Sequence, residues 1–320
     1  MNAPSVVATI RAIDADHIAR AALRRLLLGG LLALAATSAG TAAATATFET
    51  ALSDRPTTAS AGISTSFLSG SDAAFGSAAI RERRTGASLR LSEWAGGRHA
   101  IGVAAVYDYT RFVYHGLATR NRDLHRLAVP VRWRELDSGW QIELAPVIAS
   151  SSNVFKDLPG RGSRRDIDLY GRAEYRIDPD HGSGWRVALH RDAASGDPRI
   201  YPAAALTWRD PRWRAALGWP SSWVEWRPGA SVALGAAVFP DGGHWHVVSD
   251  ERGGASFDYR VRTWRALLSA GWSPWQPLRL DLQAGIAFHR RHTFEDDTGA
   301  PIDRRAASAR FWGLVARLRL

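Results

Sequence analysis

Two pairs of closely spaced histidines are the first candidates for metal binding in this sequence. His244 and His246 are two residues apart, so on a strand they would share a face, but they fall in a predicted loop. His289 and His292 are three apart and point to opposite faces of an extended segment, so we expect them to be solvated. We therefore assign no metal ligand among them.

Acidic residues are concentrated near the carboxyl end of the chain. Glu295, Asp296 and Asp297, with Asp303, could supply the oxygen ligands that calcium prefers. Arginine pairs flank them on both sides, which favours a charged, exposed loop. The chain has no cysteine, so disulfides and thiolate metal sites are excluded, and no glycine-rich segment has the spacing of a phosphate loop. We expect no cofactor.

Catalysis by serine would need a particular arrangement. A lipid hydrolase embedded in a membrane needs Ser and His within hydrogen-bond reach on the lipid-facing side, with a third group orienting the base. Ser and His occur on several predicted strands, but no spacing singles out a pair. We assign no catalytic residue and expect no enzyme, and we keep an enzyme acting on lipid or lipopolysaccharide as the alternative function.

Arginine supplies the most consistent polar pattern. The basic residues exceed the acidic ones by 10 in formal charge, and they are scattered singly through apolar segments without forming a stripe, so we expect no nucleic-acid partner. On predicted strands, arginines take the positions between apolar residues at Arg132, Arg134, Arg172, Arg176, Arg186 and Arg279. If those strands wall a barrel, these side chains line its lumen and favour a small anionic solute, unless Asp168, Glu174 and Asp281 cancel their field.

The predicted strands that would position these arginines alternate apolar residues with polar or small ones, with a period of two. Trp185, Val187 and Leu189 alternate with polar or small residues, and the same pattern recurs in residues 127–134, 140–144, 167–176 and 278–289. Segments of about ten residues with one apolar and one polar face are typical of a barrel with lipid outside and water inside. The predicted fold is all-β: a closed, antiparallel, up-and-down transmembrane β-barrel.

The strand count follows from the turns. Connections after even-numbered strands are short, and those after odd-numbered strands are mostly longer, as in bacterial outer-membrane barrels. A tight junction at 220–221 breaks the rule, so twelve strands is the alternative to fourteen. The predicted strands are 59–68, 81–94, 99–114, 122–137, 140–150, 165–178, 184–192, 200–209, 212–219, 221–228, 229–239, 256–272, 278–290 and 305–320. Among the longer connections are 69–80, 151–164, 240–255 and 291–304, and a folded-in 151–164 loop could plug the lumen.

The amino terminus predicts export. Arg20, Arg24 and Arg25 precede an apolar run at 26–36 and then small residues, which is the order of a signal peptide. We predict a signal peptide over 1–44 with a long n-region, a short segment over 45–58 and the barrel over 59–320. No later stretch of about 18 apolar residues occurs, which excludes a bundle of membrane-spanning helices.

Tryptophans next to turns and the last strand favour the outer membrane of a Gram-negative bacterium. Rings at strand ends suit the lipid headgroup level, and many of the 14 tryptophans lie there. Residues 311–320 resemble the terminal strand by which outer-membrane proteins are recognised for insertion, although Leu320 replaces the usual aromatic residue. That resemblance implies the outer-membrane assembly machinery as a partner, with outer-membrane lipid and lipopolysaccharide.

Segments 201–208, 217–220 and 225–228 resemble an uncharacterised family of Gram-negative outer-membrane β-barrel proteins. A porin-like channel or structural barrel is the predicted function.

Overall fold

The structure is a computed structural model that describes residues 59–75, 78–177 and 182–320. The predicted signal peptide and the segment 45–58 lie outside the described residues. The strands are β1 Ser60–Phe75, β2 Ala78–Arg90, β3 Trp94–Gly96, β4 His99–His115, β5 Arg122–Ala128, β6 Val131–Glu135, β7 Trp140–Ser151, β8 Ile167–Ile177, β9 Ser183–Asp192, β10 Arg199–Arg209, β11 Trp213–Trp219, β12 Ser222–Trp226, β13 Val232–Pro240, β14 Gly243–Ser249, β15 Ala255–Trp275, β16 Leu278–Glu295, β17 Pro301–Ala306 and β18 Ala309–Arg319. Two short helices, α1 Ser152–Phe155 and α2 Leu158–Arg161, follow β7.

These strands form one closed antiparallel ring of fourteen. Four wall strands consist of two consecutive segments with a common neighbour: β2 with β3, β5 with β6, β13 with β14, and β17 with β18. The first strand pairs with the last, from Ser60 opposite Arg319 to Leu68 opposite Phe311, so the sheet has no free edge. Closure lets every strand find backbone partners without water, which is what lipid surroundings require. The predicted barrel and its fourteen strands are confirmed, and the twelve-strand alternative is wrong.

The two rims of the barrel differ. We call the rim that holds Ser60 and Arg319 the terminal rim and the opposite one the loop rim. Connections at the terminal rim are short, as at 136–139, 210–212 and 276–277, whereas the connection 152–166 at the loop rim carries α1 and α2. The tight junction between β11 and β12 does lie at the loop rim, as predicted.

Apolar side chains point outward over most of the wall. On β9, Trp185, Val187 and Leu189 are 54%, 42% and 52% exposed, and the side chain of Arg186 between them is only 13% exposed. The tryptophans predicted at strand ends are all exposed, and all but Trp219 lie at the terminal rim: Trp94, Trp140, Trp185, Trp208, Trp213, Trp272 and Trp275. Such a belt of rings bounds the apolar band of a membrane barrel. In the described residues, no helix has both the length and the apolarity needed to cross a bilayer.

The pattern inverts towards the loop rim. On β4 the inward residue Asp108 is followed by inward Phe112 and Tyr114, which are buried, while Arg111 and His115 are exposed on the outward side. β15 shows the same change, because its first half buries Phe257, Tyr259 and Val261 inward. An outward polar face and an inward apolar face suit water outside, so these strand ends rise beyond the apolar band.

Apolar side chains fill the loop-rim end of the barrel. We call this set the apolar core; its buried members are Ile80, Phe112, Tyr114, Leu124, Ala145, Val147, Ala149, Trp245, Val247, Phe257, Tyr259, Val261 and Phe294. The prediction that residues 240–255 form a loop is wrong, since β14 continues the wall and sends Trp245 and Val247 into this core. The predicted loops 69–80 and 291–304 are also largely strand, because the wall extends past the apolar band there.

A contact between β7 and β14 forms a seam at the loop-rim end. β14 reaches across to β7 through one parallel bridge, His246 opposite Ser150, and Asn153 Nδ2 donates to Val248 O at 2.9 Å. The connection 152–166 covers the seam on the outward side, where the Phe155 ring stacks on His125 at 4.8 Å. The suggestion that this loop plugs the lumen is therefore wrong; the side chains of the apolar core fill the loop-rim end instead.

Candidate functional site

Two adjoining cavities lie inside the barrel. The middle cavity, of about 340 Å³, lies against β4 to β13 and reaches Trp219, Pro220 and Ser221 at the loop rim. The terminal cavity, of about 500 Å³, opens beside Ser60 at the terminal rim. Both are lined by Arg90, Ala104 and Val106, so they meet there.

All six arginines predicted from the sequence lie on the inward face of the wall. Arg132 and Arg134 are buried, and the side chains of Arg172, Arg176, Arg186 and Arg279 are between 11% and 20% exposed. Alternation places them, since Val131, Leu169 and Val187, at odd-numbered positions on the same strands, face outward. Five of them gather on β6, β8 and β9, and we call these the arginine wall: Arg132, Arg134, Arg172, Arg176 and Arg186.

Three carboxylates form ion pairs with the arginines of the arginine wall. Glu93 lies 3.8 Å from Arg132 and also bonds Arg134, and Glu143 lies 3.0 Å from Arg132. Glu174 is 1% exposed and is shared by three arginines: it lies 3.1 Å from Arg176, 3.6 Å from Arg186 and 3.8 Å from Arg172. Glu174 thus cancels part of the positive field, as anticipated, but three carboxylates do not neutralise five guanidinium groups.

Arg279 stands apart from the arginine wall. It contacts Asp281 and Glu225 at 2.8 Å each and lines the terminal cavity. Asp281 also contacts Arg317 at 3.2 Å, while Asp168 contacts Arg191 at 2.7 Å. Glu225 also contacts Arg227 at 2.7 Å, so three arginines share Asp281 and Glu225. All three line the terminal cavity, which therefore carries a positive surplus, as the arginine wall does.

An ion-pair layer separates the middle cavity from the apolar core. Arg84 Nη1 lies 2.7 Å from Asp241 Oδ1, Arg265 Nη2 lies 3.0 Å from Glu82, and Arg84 Nε lies 2.6 Å from Glu82. All four side chains are nearly inaccessible. Two positive and two negative groups compensate each other's burial. Sequence reasoning missed this layer, because Glu82 and Asp241 are far apart in the chain; inward charges on β2 and β15 were the only signal.

The histidines flagged in the sequence each face a separate partner. His244 and His246 lie on β14 and not in a loop. His244 Nε2 lies 3.6 Å from Asp258, and His246 Nδ1 lies 2.9 Å from buried Asp166. His289 is exposed, but His292 is fully buried, with its ring perpendicular to the Phe112 ring and the two ring centres 5.5 Å apart, so the expectation that it is solvated is wrong.

The acidic residues near the carboxyl end are also divided among different partners. Glu295 contacts Arg252 at 2.6 Å, Asp297 contacts Arg122 at 2.6 Å, and Asp303 bonds Arg291. Asp296 accepts the backbone N–H of Ala300 at 2.9 Å. Within the described residues, no cluster of three or more His, Asp or Glu side chains has the arrangement of a metal site.

One Ser–His contact does lie on the outward face near the loop rim. His125 Nε2 is 2.5 Å from Ser152 Oγ, and its Nδ1 is 2.7 Å from the Tyr107 hydroxyl. A tyrosine hydroxyl carries no charge to stabilise an imidazolium, which is the task of the acid in a catalytic triad. The neighbouring Asp166–His246 pair has such an acid, but the adjacent Ser150 is fully buried.

Comparison with protein-family models and with curated proteins finds no match. Solved structures with a similar architecture include an outer-membrane channel, COG4313, from Pseudomonas putida F1, at 12% identity and TM-score 0.45, over 82% of this chain and 96% of that one. The NanC porin is similar at 7% identity and TM-score 0.34, over 81% and 100%. The CymD monoaromatic hydrocarbon channel is similar at 10% identity and TM-score 0.34, over 83% and 89%. At these scores the likeness carries no information about solute or mechanism.

Proposed function

We propose that this chain is a porin-like channel of the Gram-negative outer membrane with a preference for anions. The observation that carries the proposal is the pair of adjoining cavities inside a closed barrel, both lined by inward arginines: Arg132, Arg172 and Arg186 in the middle cavity and Arg279 and Arg317 in the terminal one. Closed barrels with a polar interior provide a route for small solutes across a bilayer.

The proposed route runs through both cavities. It begins at the loop rim beside Trp219 and Ser221, passes the arginine wall and leaves at the terminal rim beside Ser60. The connection between β9 and β10 covers its outer end, since Ala194 O accepts the Gly242 N–H at 2.8 Å and Ser195 O accepts Arg262 Nε at 2.9 Å. Movement of this connection would widen the entrance.

Charge supports the preference for anions. The five arginines of the arginine wall contact only three carboxylates, Glu93, Glu143 and Glu174, and low-dielectric walls strengthen the field of the surplus inside a narrow lumen. A small anion is therefore attracted into the lumen and a cation is repelled from it.

The surroundings of the barrel follow from its surface. The exposed apolar band contacts outer-membrane lipid, and the loop rim lies among lipopolysaccharide. The last strand presents Trp312 and Leu314 outward, 53% and 44% exposed, and it is the segment that the outer-membrane assembly machinery would recognise. Membership of the uncharacterised barrel family stays a prediction.

Recording from planar bilayers tests the proposal. Purified refolded protein should give discrete conductance steps, and in a KCl gradient the reversal potential should shift towards the chloride equilibrium potential. Consistent absence of steps from folded protein would remove the channel function, and a shift towards potassium would remove the anion preference.

The alternative function is an enzyme acting on lipid or lipopolysaccharide, and the Ser152–His125 contact is the one observation that favours it. An activated serine reacts covalently with fluorophosphonates, so labelling of wild-type protein that Ser152→Ala abolishes would favour this function. The channel function fits the geometry better. It accounts for the inward arginine wall, whereas a serine hydrolase would require an acid to orient His125, and the Tyr107 hydroxyl takes that position.

A further inference from the structure

Some guanidinium nitrogens of the arginine wall have no hydrogen-bond partner. Nε and Nη2 of Arg172 and Nη1 of Arg186 are buried and make no hydrogen bond within the part of the chain that the structure describes. Their side chains are 11% and 13% exposed, and both residues line the middle cavity. Buried donors without an acceptor are costly, so such groups commonly mark the position of a ligand or of water.

The nearest carboxylate does not satisfy these donors. Glu174 lies 3.8 Å from Arg172 and 3.6 Å from Arg186, beyond hydrogen-bond reach, and its close contact is with Arg176 at 3.1 Å. Asp192 also lines the cavity, but it accepts the Tyr201 hydroxyl at 2.7 Å and the Ala194 N–H at 2.8 Å. Arg172 and Arg186 thus keep free donors for an added anion.

The same cavity has an apolar side. Ala203 and Ala205 on β10, Trp223 on β12 and Phe239 on β13 line it, and Ala205, Trp223 and Phe239 belong to one buried cluster. We call these four residues the apolar patch. An inorganic anion would leave this patch in contact with water, whereas an organic acid would cover it. The volume of about 340 Å³ lies in the range of small-ligand sites.

We propose that Arg172 and Arg186 form the anion subsite of a binding site for small organic monocarboxylates, with the apolar patch holding the body of the solute. The carboxylate accepts hydrogen bonds from Arg172 Nε and Nη2, the fork geometry that guanidinium offers to planar oxyanions, and from Arg186 Nη1. The proposal deepens the proposed channel function, since it names the solute class that the middle cavity selects.

Equilibrium dialysis of the detergent-solubilised protein against labelled benzoate tests this site without requiring conductance. Benzoate should bind saturably, and acetate, which lacks an apolar body, should compete at least about tenfold more weakly. Arg172→Gln and Arg186→Gln should each weaken benzoate binding by about tenfold or more. Phe239→Ala should weaken benzoate but leave acetate nearly unchanged.

Arg279→Gln is the matched control, since it removes one inward positive charge that is already paired with Asp281 and Glu225. It should bind benzoate like the wild type. Equal competition by acetate and benzoate, or equal losses in Arg279→Gln and Arg172→Gln, would overturn the site and leave a diffuse positive field. Heat-modifiable electrophoretic mobility identifies variants that have failed to fold.

The two proposals fail separately. Conductance without benzoate binding would overturn the monocarboxylate site and leave the channel intact. Benzoate binding without conductance would remove the channel and support the site as a binding pocket.

Discussion

Replacing Glu174 with glutamine is the change that most directly perturbs the electrostatics of the lumen. Its carboxylate is the one that Arg172, Arg176 and Arg186 share, and glutamine keeps its shape while removing its charge. The surplus on the arginine wall would rise from two positive charges to three. We expect the channel to become more selective for chloride over potassium.

The size of the effect follows from Coulomb's law. An extra unit charge about 5 Å from a permeating ion, in water-like surroundings, changes its energy by about 0.8 kcal/mol. Salt screening over a Debye length of about 10 Å reduces this to about 0.5 kcal/mol. The added positive charge favours chloride and disfavours potassium by this amount, so the permeability ratio of chloride to potassium should rise about fivefold in Glu174→Gln.

The assay is the reversal potential of single channels in a KCl gradient. Asp137→Asn makes the same charge change in an exposed pair with Arg98, at the terminal rim, and should leave the ratio unchanged. Arg172→Gln should lower the ratio by a similar factor. An unchanged ratio in Glu174→Gln, or one that moves towards potassium, would refute the idea that these inward charges govern permeation.

Three further predictions concern stability and closure. Leu144→Arg places a charge on the apolar band, where Leu144 is 51% exposed, and should cost about 2–4 kcal/mol in denaturant titrations in lipid vesicles; a negligible change would mean that this face meets water. Tyr259→Ala empties part of the apolar core and should cost about 3–5 kcal/mol while raising conductance; unchanged conductance of the folded variant would mean that the core does not seal the loop rim. The Trp208 indole N–H and the backbone N–H groups of Trp213 and Arg212 hold the pKa of the Asp210 carboxyl below its usual range, so its stabilisation is present above about pH 4 and lost as the pH falls through the lowered value. Asp210→Asn should therefore be less stable than wild type at neutral pH and equal to it in strong acid, and a constant difference across that pH range would contradict this.

The sequence predicts the membrane-embedded half of the barrel well for a physical reason. Lipid outside and water inside impose a two-residue alternation, so the inward placement of Arg172 and Arg186 follows from the outward placement of Val187 and Leu169. Tryptophan at strand ends marks where the wall leaves the apolar band, as at Trp185.

The loop-rim half was harder to predict because the same alternation has the opposite meaning there. Trp245 and Val247 alternate with His244 and His246 just as lipid-facing residues would, but they point into the apolar core. Beyond the bilayer water lies outside, and an apolar residue is then stable only inside. Glycine and proline near 240–243 suggested a loop, although the backbone continues as β14.

Pairing across the lumen could not be predicted from local pattern at all. Arg84 and Asp241 are separated by 157 positions, and Arg265 and Glu82 by 183. Only closure of the ring brings them together. The sharing of Glu174 among three arginines could not be predicted either, because it depends on how neighbouring strands pair.

Nitroxide scanning along β8, Ile167–Ile177, in lipid vesicles tests the central claim most directly, because it reads at each position whether the side chain meets lipid or the lumen. Collision with apolar oxygen should rise and fall with a period of two, high at Ile167, Leu169 and Ile177 and low at Arg172 and Glu174. Uniform oxygen accessibility, or high accessibility to a polar nickel complex at the odd positions, would contradict a barrel whose apolar face lies in lipid.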